Sequence, residues 1–108
     1  MCRGDNRLDV AYSVNNIPIR LTTERWFHII ENHDDLAGYY EDVLNTIEEP
    51  DIIIRGYGGS LIAVKGMGSK HYLGVIYKEY PLKKDGFVLS AYFTGKIDRR
   101  KAIWPVKQ

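Results

Sequence analysis

The sequence predicts an α+β domain in which two N-terminal helices pack on a four-stranded antiparallel sheet. Three observations predict it. Apolar residues recur at helical spacing from Thr23 to Glu49. Pro50 stops that pattern, and the period falls to two between Asp51 and Thr94. The links between the period-two segments are short, whereas a parallel crossover needs about a dozen residues or more. Helices first and strands afterwards is the signature of an α+β fold rather than an alternating α/β one.

Each element follows from its residues. Residues 1–16 are polar with little pattern and read as an N-terminal extension ahead of a single domain at 17–108. Within the extension, LDVAYSV is either a short strand or tail. Ile17-Pro18-Ile19-Arg20-Leu21 reads as extended, because Pro18 lacks a donor and pushes Ile17 out of the helical region. Thr22 or Thr23 then serves as N-cap of a helix to about Asn32, with Glu24 in its first turn. On that helix Trp26, Ile29, Ile30 and His33 form one face, and Arg25, His28 and Asn32 another. Asp34 or Asp35 is expected to cap a second helix over LAGYYEDVLNTIEE, whose apolar stripe includes Leu36, Val43, Leu44 and Ile47. DIIIR, SLIAVK, KHYLGVIYKEY and FVLSAYFT are the four strands. In the third, Tyr72, Ile76 and Lys78 oppose Leu73, Val75 and Tyr77. In the fourth, strict alternation sets Phe87, Leu89, Ala91 and Phe93 against Val88, Ser90, Tyr92 and Thr94. One sheet face should take the helices, and the other should stay partly open to solvent or ligand.

A chain of 108 residues holds one domain of ordinary size. Such a chain buries roughly two thirds of its unfolded surface, so no metal or disulfide is needed to fold it. The single cysteine, Cys2, excludes an internal disulfide framework. No apolar run spans a membrane and the N-terminus has no apolar signal core, so a cytoplasmic location is the default. The net charge of +1 conceals a division: residues 1–60 carry 5 basic and 11 acidic side chains, and residues 61–108 carry 10 basic and 3 acidic. A polyanion partner for the basic half, a basic protein partner for the acidic half, or self-complementary packing would each account for it.

Metal and nucleotide motifs are absent. His28 and His33 are five apart rather than four, and there is no HExxH, CxxC or P-loop, so neither metal nor cofactor is expected. GYGG joins two strands, where its glycines serve a hairpin. What remains suits acid–base work on a phosphodiester. His28 and His33 lie on or near a helix, Lys65 and Lys78 on strands, Tyr92 and Thr94 on the last strand, and Arg99-Arg100-Lys101 in a basic tail. Metal-free RNA cleavage needs a base for the ribose 2′-OH, an acid for the leaving 5′-oxygen, and cations for the charge gathering on phosphorus. Imidazole titrates near neutrality and suits the proton transfers. The plainer readings are a helix-terminal His33, a solvated His28, lysines that protect strand edges, and a solvated basic tail.

The stretch RLTTERWFHIIENHDDLAGYYEDVLNTIEEPDIII, followed by KHYLGVIYKEY and GFVLSAYFT, resembles the phage-type branch of the barnase/EndoU/colicin/RelE-like nuclease superfamily. The shared residues are Leu21-Thr22, Arg25-Trp26, His28-Ile29, His33, Val43-Leu44-Asn45-Thr46-Ile47, Pro50-Asp51 and Ala91-Tyr92-Phe93-Thr94. They cover residues 19–95, and the helix motif is the most specific part. Asp34-Asp35 departs from the turn that follows the second histidine in that pattern. The resemblance implies a barnase/RelE-like fold and metal-independent RNA cleavage by a toxin or effector domain. His28, His33, Tyr92 and Thr94 would line the site. Arg25, with Lys65 or Lys78, would hold phosphate; beyond the matched residues, Arg99 and Arg100 of the basic run are read as a phosphate-contacting patch or a solvated tail. RNA, either tRNA or rRNA, is the expected partner, and a cognate antitoxin or immunity protein a further one. The alternative is a non-catalytic RNA-binding or protein-interaction module on the same fold.

Overall fold

The period-two segments after Pro50 form strands where their alternation places them, but the sheet they build is larger than four strands. The computed structural model describes residues 8–105. In chain order the elements are β1 (Leu8–Tyr12), β2 (Pro18–Thr22), α1 (Thr23–Asn32), α2 (Tyr40–Glu48), β3 (Ile52–Arg55), β4 (Leu61–Gly68), β5 (His71–Tyr80), β6 (Asp85–Thr94) and β7 (Ala102–Trp104). All seven strands join one sheet in the order β1-β2-β6-β5-β4-β3-β7. The expected two helices on a four-stranded antiparallel sheet is therefore corrected to two helices on a seven-stranded mixed sheet. The parallel pair is β2 with β6, joined at Arg20 opposite Phe87. Its crossover contains both helices and three strands, so no local pattern in the chain announces it.

The β1–β2 hairpin turns at residues 13–17. Asn16 takes a left-handed φ of 62° there. Ser13 N–H donates to the Ile17 carbonyl at 2.9 Å, and Asn16 N–H to the Ser13 carbonyl at 2.8 Å. Asn tolerates that conformation through its short polar side chain. Ala11, Ile19 and Leu21 from this hairpin are buried with the helices. Arg20 clamps the parallel seam, with Nε and Nη2 donating to the two carboxylate oxygens of Asp85 at 2.9 and 3.1 Å. The hydrogen bond from Arg20 holds the Asp85 carboxyl below its ordinary value. The pair's contribution is present above the ordinary carboxylate range and is lost as pH falls through the lowered value. Because both side chains are exposed, Asp85→Asn should be only slightly less stable than wild type at neutral pH, and the two should converge in acid as wild type loses the pair. A large difference at neutral pH would show that the clamp matters more than its exposure implies.

Helix α1 starts as the sequence predicts: the Thr22 hydroxyl accepts from Arg25 N–H at 3.0 Å. Helix α2 is shorter than expected. Asp34–Leu36 forms a separate 3₁₀ turn, Gly38 takes φ +92°, and the helix begins at Tyr40. Asp34 and Asp35 therefore do not cap α2; its N-cap residue, Tyr39, makes no side-chain cap bond. Glu41 and Asp42 supply the favourable charge in the first turn instead. Trp26 meets Tyr40 edge-on at 5.2 Å, which ties the two helices together.

One face of the sheet is covered by both helices. Its core holds Leu73, Val75, Tyr77, Ala63, Ile53 and Ala91 against Trp26, Ile29, Val43 and Ile47. In β5 the burial follows the expected alternation. In β6 it does not, because a bulge between Ile76/Ser90 and Tyr77/Val88 leaves Leu89 without an opposite residue. Val88 consequently joins Ala91 on the helix-covered face, which corrects the strict alternation. Tyr77 is fully buried and its hydroxyl finds no partner among the described residues. Burial, with Glu79 nearby, pushes its phenol well above its ordinary range. An unsatisfied buried hydroxyl costs about 1–3 kcal/mol, so Tyr77→Phe should raise stability by about 1 kcal/mol in urea unfolding. A loss of stability would reveal a partner for that hydroxyl.

The other face is open over β6, β5 and β4. At its far end Ile97 and Ala102 cover Ile52, Ile54 and Val64. Among the described residues, no helix is long and apolar enough to cross a membrane.

Candidate functional site

The bulge and the short β2 together create a cleft. Strand β2 pairs with β6 only at Arg20–Phe87, so beyond that point β6 loses its neighbour and α1 lies alongside. Arg25, His28 and Asn32 are spaced i, i+3 and i+7, which aligns them on one polar stripe. With Ile29 they face Leu89 and Ser90 across a cleft of about 320 Å³. The bulged residue is thus part of the wall.

The stripe is ordered by local bonds. Asn32 Nδ2 donates to the His28 carbonyl at 3.1 Å. His28 Nδ1 lies 3.6 Å from Glu31 Oε1, and its side chain is 60% exposed. Glu31 thus stands on the Nδ1 side of the ring without a hydrogen bond, and Nε2 has no partner among the described residues. Arg25 forms no ion pair among the described residues, so its guanidinium is available to an anion. The arrangement offers one acid–base group, one cation and neutral hydrogen-bonding groups in a place reached by solvent.

The remaining expected site residues are distributed. Tyr92 and Thr94 follow Ser90 on the same, open face of β6. The Tyr92 ring lies against Gly74, and burial pushes its phenol up, which keeps it a neutral donor. Thr94 Oγ1 is 3.2 Å from both the Lys96 amide, from which it accepts, and the Lys96 carbonyl. Lys78 pairs in register with Phe87 on that open face. His33 is the C-cap of α1: its N–H donates to the Ile29 carbonyl at 2.9 Å, and its ring does not line the cleft. Lys65 lies on the helix-covered face, where Nζ donates to the Glu49 carbonyl at 2.8 Å and closes the end of α2. Arg99 and Arg100 belong to a 3₁₀ turn, and Arg100 is paired with Asp98 at 3.1 Å. That turn borders a second cleft, of about 600 Å³, beside Arg55 and Tyr57.

The structure therefore brings Arg25 and His28 together and leaves His33 and Lys65 outside their cleft. It adds Asn32, Leu89 and Ser90. Asn32 was visible as a member of the Arg25–His28 face. Ser90 reads on one face with Tyr92 and Thr94, but its place beside α1 does not, and neither does Leu89, because nothing in FVLSAYFT marks the bulge. Among the described residues, no group of three or more His, Cys, Asp or Glu side chains could hold a metal ion. The chain matches no protein-family model, no curated protein and no solved structure.

Proposed function

We propose that the chain is a metal-independent endoribonuclease whose reacting phosphate binds in the α1–β6 cleft. The observation that carries this reading is the convergence of His28, Arg25 and Asn32 on Ser90, in a cleft at the edge of an open sheet face. The likeness of the Arg25-Trp26…His28-Ile29 helix to the phage-type nuclease branch supports the same chemistry.

The residues have distinct roles in this reading. His28 takes the ribose 2′-OH proton, and the 2′-oxygen attacks the adjacent phosphorus. Arg25 and Asn32 donate to the nonbridging oxygens as negative charge gathers there. The bond to the 5′-oxygen breaks, and that oxygen takes a proton, for which the Tyr92 phenol is the candidate donor on β6. The products are a 2′,3′-cyclic phosphate and a 5′-hydroxyl. Thr94 and Lys78 lie along the substrate's path over the open face. The substrate is a cytoplasmic RNA such as tRNA or rRNA, and a toxin of this kind would be held in check by an antitoxin or immunity protein.

The test is incubation of the folded protein with total tRNA and rRNA in EDTA, followed by analysis of product ends. Discrete fragments ending in 2′,3′-cyclic phosphate are expected. Intact RNA after prolonged incubation would overturn the nuclease reading.

A further inference from the structure

The second cleft lies at the opposite end of the same open face. Its floor is Ile54 and Ile62, and Arg55, Tyr57, Arg100 and Lys101 stand around it. The strand register connects it to the first. Ile54 pairs with Ile62, Ile62 with Ile76, and Ile76 with Ser90, the residue that lines the α1–β6 cleft. The row crosses three strand spacings, about 14 Å at ~4.8 Å each. That is roughly four nucleotides at a stacked rise of ~3.4 Å.

The second cleft is built for an anion carrying a flat ring. Tyr57 is 98% exposed, an unusual placement for a large aromatic ring. The turn that presents it is well defined. Gly58 and Gly59 take φ of +65° and +82°, conformations that side chains resist. Ser60 Oγ donates to the Tyr57 carbonyl at 2.7 Å, and Gly56 N–H to the Ser60 carbonyl at 2.9 Å. The ring is thus held out by a closed turn. Three cationic residues line the cleft with it, against one carboxylate, Asp98, which engages Arg100. Arg55 forms no ion pair among the described residues. Stacking on an aromatic ring beside cations, over an apolar floor, is how single-stranded nucleic acid is held without regard to sequence.

We infer that this cleft is a second nucleotide subsite, which stacks a base on Tyr57 and binds the neighbouring phosphates through Arg55, Arg100 and Lys101. The inference rests on the nuclease reading: the strand held here is the one whose reacting phosphate occupies the α1–β6 cleft. The enzyme therefore favours single-stranded stretches long enough to reach both clefts.

Fluorescence anisotropy with fully 2′-O-methylated RNA, which lacks the attacking hydroxyl, tests it. A hexanucleotide is expected to bind at least about tenfold tighter than a dinucleotide, and Tyr57→Ala to weaken the hexanucleotide about tenfold. Arg55→Gln with Lys101→Gln should reduce the slope of log affinity against log salt by about 1.4, at ~0.7 per single-strand phosphate contact. Unchanged thermal unfolding would show that these exposed variants fold. Equal affinity for the two lengths, or full hexanucleotide binding by folded Tyr57→Ala, would overturn the subsite. Cleavage of unmodified RNA is read separately. Binding that depends on length and on Tyr57, with no cleavage, leaves the subsite standing and removes the nuclease. Cleavage with length-independent binding does the reverse.

Discussion

His28→Ala is expected to lower RNA cleavage by about 10²- to 10⁴-fold, the usual contribution of a positioned acid–base group. The residue suits a clean test. Its ring is mostly exposed, so truncation removes little packing and thermal unfolding should not change. Glu31 is its ring's carboxylate neighbour, and Asn32 bonds its carbonyl through the backbone, which alanine retains. His33→Ala is the informative companion. That ring is half-buried at the C-cap of α1, outside the cleft, so its loss should act on stability more than on the chemical step. Near-normal cleavage by folded His28→Ala would place the acid–base group elsewhere. A His33→Ala variant as inactive as His28→Ala, at unchanged stability, would show that both rings reach the substrate.

Gly86→Ala is expected to destabilise the fold by about 1–3 kcal/mol, the usual cost of forcing a methyl into a filled site. A Cβ there would sit 2.4 Å from the Lys78 carbonyl oxygen and 2.6 Å from Ile19 Cδ1. The carbonyl belongs to the backbone of β5 and cannot step aside without breaking the β5–β6 ladder. Ile19 belongs to β2, so the methyl would also push apart the parallel seam. The melting temperature should fall by roughly 4–8 °C for each kcal/mol in a chain of this size. An unchanged melting temperature would mean that the seam between the N-terminal hairpin and the rest of the sheet is looser than its contacts imply.

These two variants probe parts of the protein that were legible to different degrees. The helix carrying His28 could be read directly, because its Thr cap, its apolar stripe and its Arg25–His28–Asn32 face are all encoded within ten residues of each other. Strands β3 to β6 are legible for the same reason, since alternation is local, whereas β7 is not, because three residues in a basic tail carry no period. The start of helix α2 is not legible, since Gly38 breaks a pattern whose apolar spacing continues through it. The N-terminal hairpin was legible only in part. Pro18 and its neighbours read as extended, but an extended segment carries no label saying which strand it joins. Lys65 looked like a phosphate ligand because it ends a strand on a basic half of the chain, yet its ammonium is spent on the end of α2. Tyr57 does not stand out in the sequence, because its glycine-rich surroundings read as a turn, and a turn residue's exposure shows only in three dimensions.

By itself, the sequence determined local conformations: the period of 3.6 before Pro50 and of 2 after it, the Thr22 and Pro50 boundaries, and which side chains share a face of α1 and of β5. Tertiary structure alone decided how those faces meet. It brought β2 beside β6 across more than sixty residues of intervening chain, a pairing that depends on matching surfaces rather than on any short-range signal. It placed one bulge at Leu89, which shifts the face of every residue beyond it by one step. Those two events open the cleft in which Arg25 and His28 meet Ser90. Both arise from contacts between distant segments, and their energies are absent from any window of the chain read alone.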